Sequence, residues 1–168
     1  MYSLYIKKAT QEDIPLIRQI AETAFPATYK NILTPPQIDY MMEWMYSPEA
    51  LKKQFEEGHL FFIALDADRP IGYVSIQKET LELFHLHKIY LLPSSQGKGA
   101  GSRLFHLAIS EINRLYPGKK RVELNVNRYN SAVDFYRKQG MTILQEGDFP
   151  IGEGWYMNDY IMGIDIDV

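Results

Sequence analysis

The chain has 168 residues, 46% hydrophobic and 23% charged, an ordinary globular composition with enough length for a substantial core. A net charge of −3 excludes the basic excess of a general nucleic-acid binder, and the absence of cysteine excludes disulfides, thiolate metal sites and a cysteine nucleophile. The longest wholly apolar run, Leu60 to Leu65, is too short to span a bilayer, and the first residues lack the apolar core of a signal peptide. The expectation is a cytoplasmic protein with neither a nucleic-acid nor a membrane partner.

The elements follow in chain order. "SLYIKKA", from Ser3, alternates as a strand. Thr10 and Asp13 form a capping pair that opens a helix carrying Ile14, Ile17, Ala21 and Ala24 at helical spacing. Pro26, Pro35 and Pro36 bracket a turn region, and "QIDYMMEWMY" suits a second helix with a Met-rich face. Ser47-Pro48 caps a third, with Leu51 and Phe55 four apart and Gly58 at its close. "HLFFIAL" and "PIGYVSIQ" flank the polar "DADR" as an antiparallel hairpin.

"LELFHLHKIYLL" then reads as a long strand whose alternation breaks. Leu81, Leu83, His85 and His87 share one parity, but Phe84, Leu86, Tyr90 and Leu92 are apolar on the other. Either both faces are covered, as in a central strand, or a bulge shifts the register near His87-Lys88. A glycine-rich turn leads into a helix with Leu104, Ala108, Ile112 and Leu115 as its buried stripe. "RVELNVN" is the next strand, and Asn130 can cap a short helix bearing Ala132, Phe135 and Tyr136, ended by Gly140. Strands "MTILQEG" and "WYMNDYIMGIDI" finish the chain around a turn, "DFPIGEG". The pattern predicts one mixed α/β domain over residues 1–168, with an antiparallel-rich central sheet of about seven strands flanked by helices.

The turn "LLPSSQGKGAGSRLF" carries the chemistry. A phosphate loop of the G-x-x-x-x-G-K-[ST] type fails, because Leu92 stands at the first glycine and Gly99 follows Lys98. A dinucleotide fingerprint fails at Ser102, its third glycine position. What both share survives: a strand, a glycine turn and a helix start, whose free N–H groups and positive dipole end suit a pyrophosphate.

"LPSSQGKGAGSRL" resembles motif A of the GNAT superfamily, the GCN-five-related N-acetyltransferases, with Gln96, Gly99 and Gly101 at the motif positions. "LNVNRYNSAVDFYRKQGM" resembles the family's next block through Asn130, Ala132, Tyr136 and Gly140, with Met141 where Phe is usual. The C-terminal "IGEGWYMNDYIM" resembles bacterial polyamine acetyltransferases.

The resemblance implies a GNAT-like fold that takes acetyl-CoA as cosubstrate. Gln96, Gly97, Lys98, Gly99, Ala100, Gly101 and Ser102 would hold its pyrophosphate. Ile89 and Leu91 would pair with the pantetheine arm, and Asn127 and Asn130 would contact that arm or a water. The backbone N–H of Leu91 would face the thioester oxygen. Tyr136 would protonate the departing thiolate, since a phenol stays protonated at neutral pH.

His87 falls near the position from which family members deprotonate the amine, and its ordinary pKa suits a base. His85 and His87 also fit surface or sheet-packing roles, just as Tyr136 fits core packing and Asn130 fits capping. His85 and His87 share a strand face, but no third ligand accompanies them, so no metal is expected. The expected activity is N-acetyl transfer from acetyl-CoA to a primary amine in a ternary complex. The acceptor would be a small amine such as a polyamine, and a homodimer is compatible with the resemblance. A protein Lys or N-terminal acetyltransferase, or a non-catalytic acyl-CoA sensor, stand as alternatives.

Overall fold

The computed structural model describes residues 4–167, so Ser3 of the expected first strand lies outside the described residues. Seven strands form one sheet: β1 (Leu4–Lys8), β2 (Leu60–Asp66), β3 (Arg69–Thr80), β4 (Leu83–Leu91), β5 (Lys120–Asn127), β6 (Thr142–Gly152) and β7 (Trp155–Ile166). Their order across the sheet is β1-β2-β3-β4-β5-β7-β6. Every pairing is antiparallel except β4 with β5.

Helices α1 (Ile14–Tyr29), α2 (Pro35–Tyr46) and α3 (Pro48–Glu56) cover one face. Helices α4 (Ala100–Leu115) and α5 (Ala132–Lys138) cover the other. Each face closes a separate core. Leu104, Phe105, Ala108 and Ile112 of α4 pack on Phe84, Leu86, Val122 and Leu124 of the sheet. Ile17, Ala21, Ala24 and Phe25 of α1 pack on Phe61, Ile63 and Tyr73. The mixed α/β, antiparallel-rich sheet of seven strands is the one expected.

Local chemistry sets the boundaries. The Thr10 hydroxyl accepts from the Glu12 amide, and Asp13 accepts from the Thr10 amide, completing the capping box on a 3₁₀ turn just before α1. Thr34 and Ser47 cap α2 and α3, each followed by proline. Pro26 does not end the first helix, which continues to Tyr29. The carbonyl that Pro26 leaves unpaired is that of Glu22, on the exposed side of α1, where water can satisfy it. Leu115 is the last residue of α4 and 37% exposed, so the buried stripe ends at Ile112.

The last turn is shorter than "DFPIGEG". β6 runs through Pro150 to Gly152, and Glu153 and Gly154, both at positive φ, make the reversal. Pro150 is tolerated because β6 is the sheet's edge and needs no donor on its outer side. The Tyr40 hydroxyl donates to the Ile151 carbonyl at 2.7 Å, and Gln37 Nε2 to the Tyr156 carbonyl at 2.8 Å. These bonds fasten the β6–β7 hairpin to α2.

Candidate active site

The site begins where β4 and β5 separate. β4 pairs with β3 along its whole length, but with β5 only through Leu83, Phe84 and His85. Beyond His85 the two parallel strands diverge, and a cavity of about 890 Å³ opens between them. Its walls are Leu86 to Leu91 of β4, Leu124 to Val126 of β5, Tyr29 at the end of α1, and Phe135 and Tyr136 of α5.

A bulge shapes the β4 wall. Ser75 pairs with Lys88 and Ile76 with Leu86, which leaves His87 without a partner on β3. The extra residue places His87 and Lys88 together on the α1–α3 face and returns Ile89 and Leu91 to the α4–α5 face. Both readings of the broken alternation therefore hold: β4 is central, with both faces covered, and it is bulged at His87. Gly72, opposite Leu91, allows the tight seam with β3, because a Cβ there would lie 2.5 Å from the Tyr90 carbonyl oxygen.

One end of the cavity is lined by the start of α4. Pro93–Ser95 forms a single 3₁₀ turn, and the Gln96 side chain bonds back to the Leu91 carbonyl at 3.3 Å. Gly97 and Gly99 adopt φ of 78° and 87°, where other residues are strained. Gly99 is the N-cap of α4 and brings no side chain to cover the first turn. The Arg103 N–H bonds the Gly99 carbonyl, so the amides of Ala100, Gly101 and Ser102 precede the first intrahelical donor and point out of the helix start. Those groups and the positive dipole end concentrate on one spot beside Gly97, Gly99, Gly101 and Ser102.

The middle of the cavity holds the proton-bearing groups. Tyr136 is only 6% exposed, and burial, with Tyr29 nearby, pushes its phenol above the ordinary value, so it stays protonated. His87 stacks on His59 and lies tilted against His85, each at 4.4 Å between ring centres. Partial burial first, then His85, His59 and Lys88, hold His87 below its usual pKa, so it is neutral at pH 7. Lys88 is 7% exposed, with Nζ on Gln54 Oε1 and within 5.2 and 5.3 Å of the Tyr46 and Phe61 ring centres. Burial lowers it to about 7.

Of the residues singled out from the sequence, the fold brings His87, Ile89, Leu91, Gln96, Gly97, Gly99, Gly101, Ser102, Asn130 and Tyr136 to this one cavity. Lys98 is exposed beside it, and Ala100 is buried as the first residue of α4. Asn127 is turned away: it is 1% exposed, and its Oδ1 accepts from the Tyr129 amide at 2.9 Å. Asn130 Oδ1 accepts from the Ala132 amide in a turn just ahead of α5 while the residue lines the cavity; it is not the helix cap, which is Ser131. His85 is committed to Glu79, Nδ1 to Oε1 at 2.8 Å.

Asp159 of β7 carries no sequence signal of its own. It lies opposite Asn127, 4% exposed, with Oδ2 accepting from the Asn125 side-chain Nδ2 at 3.4 Å and Oδ1 without a partner. Burial raises it to about 6, against the smaller pull of Asn125 and Arg128.

This architecture is one found in acetyl-transferring enzymes. Residues 30–146 match the family model described as the acetyltransferase (GNAT) domain. The chain belongs to the GNAT acetyltransferase family. It is 27% identical over 152 residues to an uncharacterised N-acetyltransferase of Mycobacterium bovis, covering 89% of this chain and 96% of that one. An uncharacterised N-acetyltransferase of Lactobacillus delbrueckii subsp. lactis is 26% identical over 162 residues, 91% of this chain and 92% of that one. The fold superposes on PaiA N-acetyltransferase of Thermoplasma acidophilum, solved with coenzyme A, at a TM-score of 0.81 and 24% identity, covering 98% and 99% of the two chains. It also superposes on YncA of Salmonella typhimurium, solved with acetyl-CoA, at a TM-score of 0.69 and 17% identity, covering 99% and 95%. No helix among the described residues is long and apolar enough to cross a membrane.

Proposed function

We propose that this chain moves the acetyl group of acetyl-CoA to the primary amine of a small molecule, with a polyamine as the first candidate. The observation that carries the reading is the open β4–β5 seam, which ends on an uncapped, glycine-turned helix start and holds a buried phenol at its middle. Family membership and the coenzyme A-bound structural neighbours support it.

The Gly97–Ser102 amides would take the pyrophosphate. Beyond His85, β4 has open backbone groups on its β5 side, and Ile89 and Leu91 would use theirs to pair with the pantetheine amides. The amine nitrogen attacks the thioester carbon, a C–N bond forms and the C–S bond breaks. Tyr136 is the proton donor to the departing thiolate, and its raised pKa keeps that proton available. His87, on the bulge beside the cavity, would take the amine's proton as the C–N bond forms; its pKa, pushed down to about 2, means that it does not keep that proton and passes it on to solvent. Residues 1–168 would act as one catalytic domain.

Thiol release from acetyl-CoA against spermidine, spermine, free lysine, aminoglycosides and short peptides tests the reading. Saturable release with a polyamine is the expected result. Release only with peptides would replace the small amine by a protein acceptor. Tight acetyl-CoA binding without release from any acceptor would overturn catalysis.

A further inference from the structure

The two nitrogens of His87 are not equivalent, and the structure says which one is free. Gln77 of β3, opposite His85 in the register, reaches past the bulge to both His87 and the backbone of residue 57. Its amide nitrogen lies 3.2 Å from the Glu57 carbonyl oxygen. A carbonyl can only accept, so the NH₂ end of Gln77 must face Glu57. The Oε1 end therefore faces His87, at 2.8 Å from Nε2. An amide oxygen also only accepts, so Nε2 of the neutral ring carries the hydrogen and Nδ1 carries the lone pair.

We propose that Gln77 is the positioning residue of the site: it locks His87 as the Nε2–H tautomer and thereby makes Nδ1 the nitrogen that accepts the acceptor's proton. The proposal rests on the reading of His87 as the base. The surroundings suit the role. No hydrogen bond from a described residue reaches Nδ1, the ring nitrogen nearer the β4 backbone that walls the cavity. The His59 ring stacks on His87 and the His85 ring packs against it at a tilt, and together they limit its rotation. The titratable groups facing it are His59, His85 and Lys88, and Glu79 is engaged by His85. None of these supplies an acceptor for Nε2, so the tautomer depends on Gln77.

Long-range ¹H–¹⁵N spectra of histidine-labelled protein test this directly, with His87→Ala assigning the resonance. The wild type is expected to show His87 with Nε2 protonated and Nδ1 bare. Gln77→Leu should give mixed tautomers and lower kcat about tenfold, with acetyl-CoA affinity unchanged. Gln77→Glu keeps an acceptor for Nε2–H and adds a charge. It should retain the tautomer and move the acidic limb of the kcat/KM profile to higher pH, since a nearby carboxylate favours the charged imidazole. An Nδ1–H tautomer in the wild type, or an unchanged tautomer in Gln77→Leu, would overturn the proposal. If the lock is present but His87→Ala leaves turnover and its pH profile intact, His87 is not the base, and with it falls the catalytic half of the proposal.

Discussion

The two faces of the sheet are packed by different chemistry. Under α4 and α5 the core is aliphatic and phenylalanine-rich, and Tyr136 is its one buried tyrosine among the described residues. Under α1, α2 and α3 the core contains buried Tyr29, Tyr46 and Tyr73, and Tyr90 packs against them. That face also holds Lys88, its ammonium over two aromatic rings. The first core only has to hold two strands apart at a fixed angle, and apolar side chains do that without further partners. The second carries hydroxyls in pairs, Tyr73 on Tyr46 and Tyr29 on Tyr90, because each buried hydroxyl needs an answering group. A lone hydroxyl in an apolar core is thus better placed to serve a reaction than any of four that already serve each other.

Tyr136→Phe is the sharpest way to break that contrast. Turnover should fall by about 10²-fold with acetyl-CoA affinity retained, as steady-state rates and calorimetric titration would show. An unchanged kcat would return Tyr136 to core packing.

On the opposite face the corresponding deletion should act on stability. Tyr73→Phe removes the donor to Tyr46 deep in the core and should cost about 1–3 kcal/mol in urea unfolding, with kcat per folded molecule unaltered. Asp159→Asn should act with the opposite sign. Burial raises the folded carboxyl from the ordinary 3.8 to about 6, so the folded state binds the proton more tightly and wild-type stability falls as pH rises from about 4 to 6. The variant escapes this loss. It should be more stable by about 1–3 kcal/mol at pH 7 and no different below pH 4, as thermal melts at several pH values would reveal. A variant less stable at pH 7 would mean that Asp159 holds the fold together.

Gly101→Ala has the smallest expected effect on the fold. The new methyl would lie 3.5 Å from Leu91 and 3.7 Å from Phe135, ordinary contact, and the helix would gain up to about 1 kcal/mol. A raised acetyl-CoA KM in a protein at least as stable would show that this glycine leaves room for a ligand, whereas an unchanged KM would mean the space is spare.

Much of this was legible in the chain. The broken alternation around His87 left two readings open, a strand covered on both faces or a bulge, and the pairing with β3 shows both at once. Gln96 to Ser102 announced a glycine turn into a helix, because Gly97 and Gly99 take positive φ beside the open start of α4. Pro26 misled, since it falls in the last turn of α1, where the carbonyl it frees faces water and little helix remains to be lost. Pro150 misled likewise, being harmless on an edge strand. Gln77, Lys88 and Asp159 were silent for a different reason. Each owes its character to a neighbour tens of residues away, and Gln77 reads as a plain polar strand residue until Glu57 and His87 are placed beside it.

The bulge makes His87 a residue that strand β4 could lose without turning its other side chains over. Deleting it would join Leu86 directly to Lys88 in an uninterrupted ladder against Ile76 and Ser75, with Leu86 still on the aliphatic face and Lys88 still among the tyrosines. A deletion elsewhere in the strand would make the residues on one side of the cut exchange faces. The fold could therefore shed this residue by a single-codon deletion, and what such a deletion would cost lies in the site rather than in the sheet.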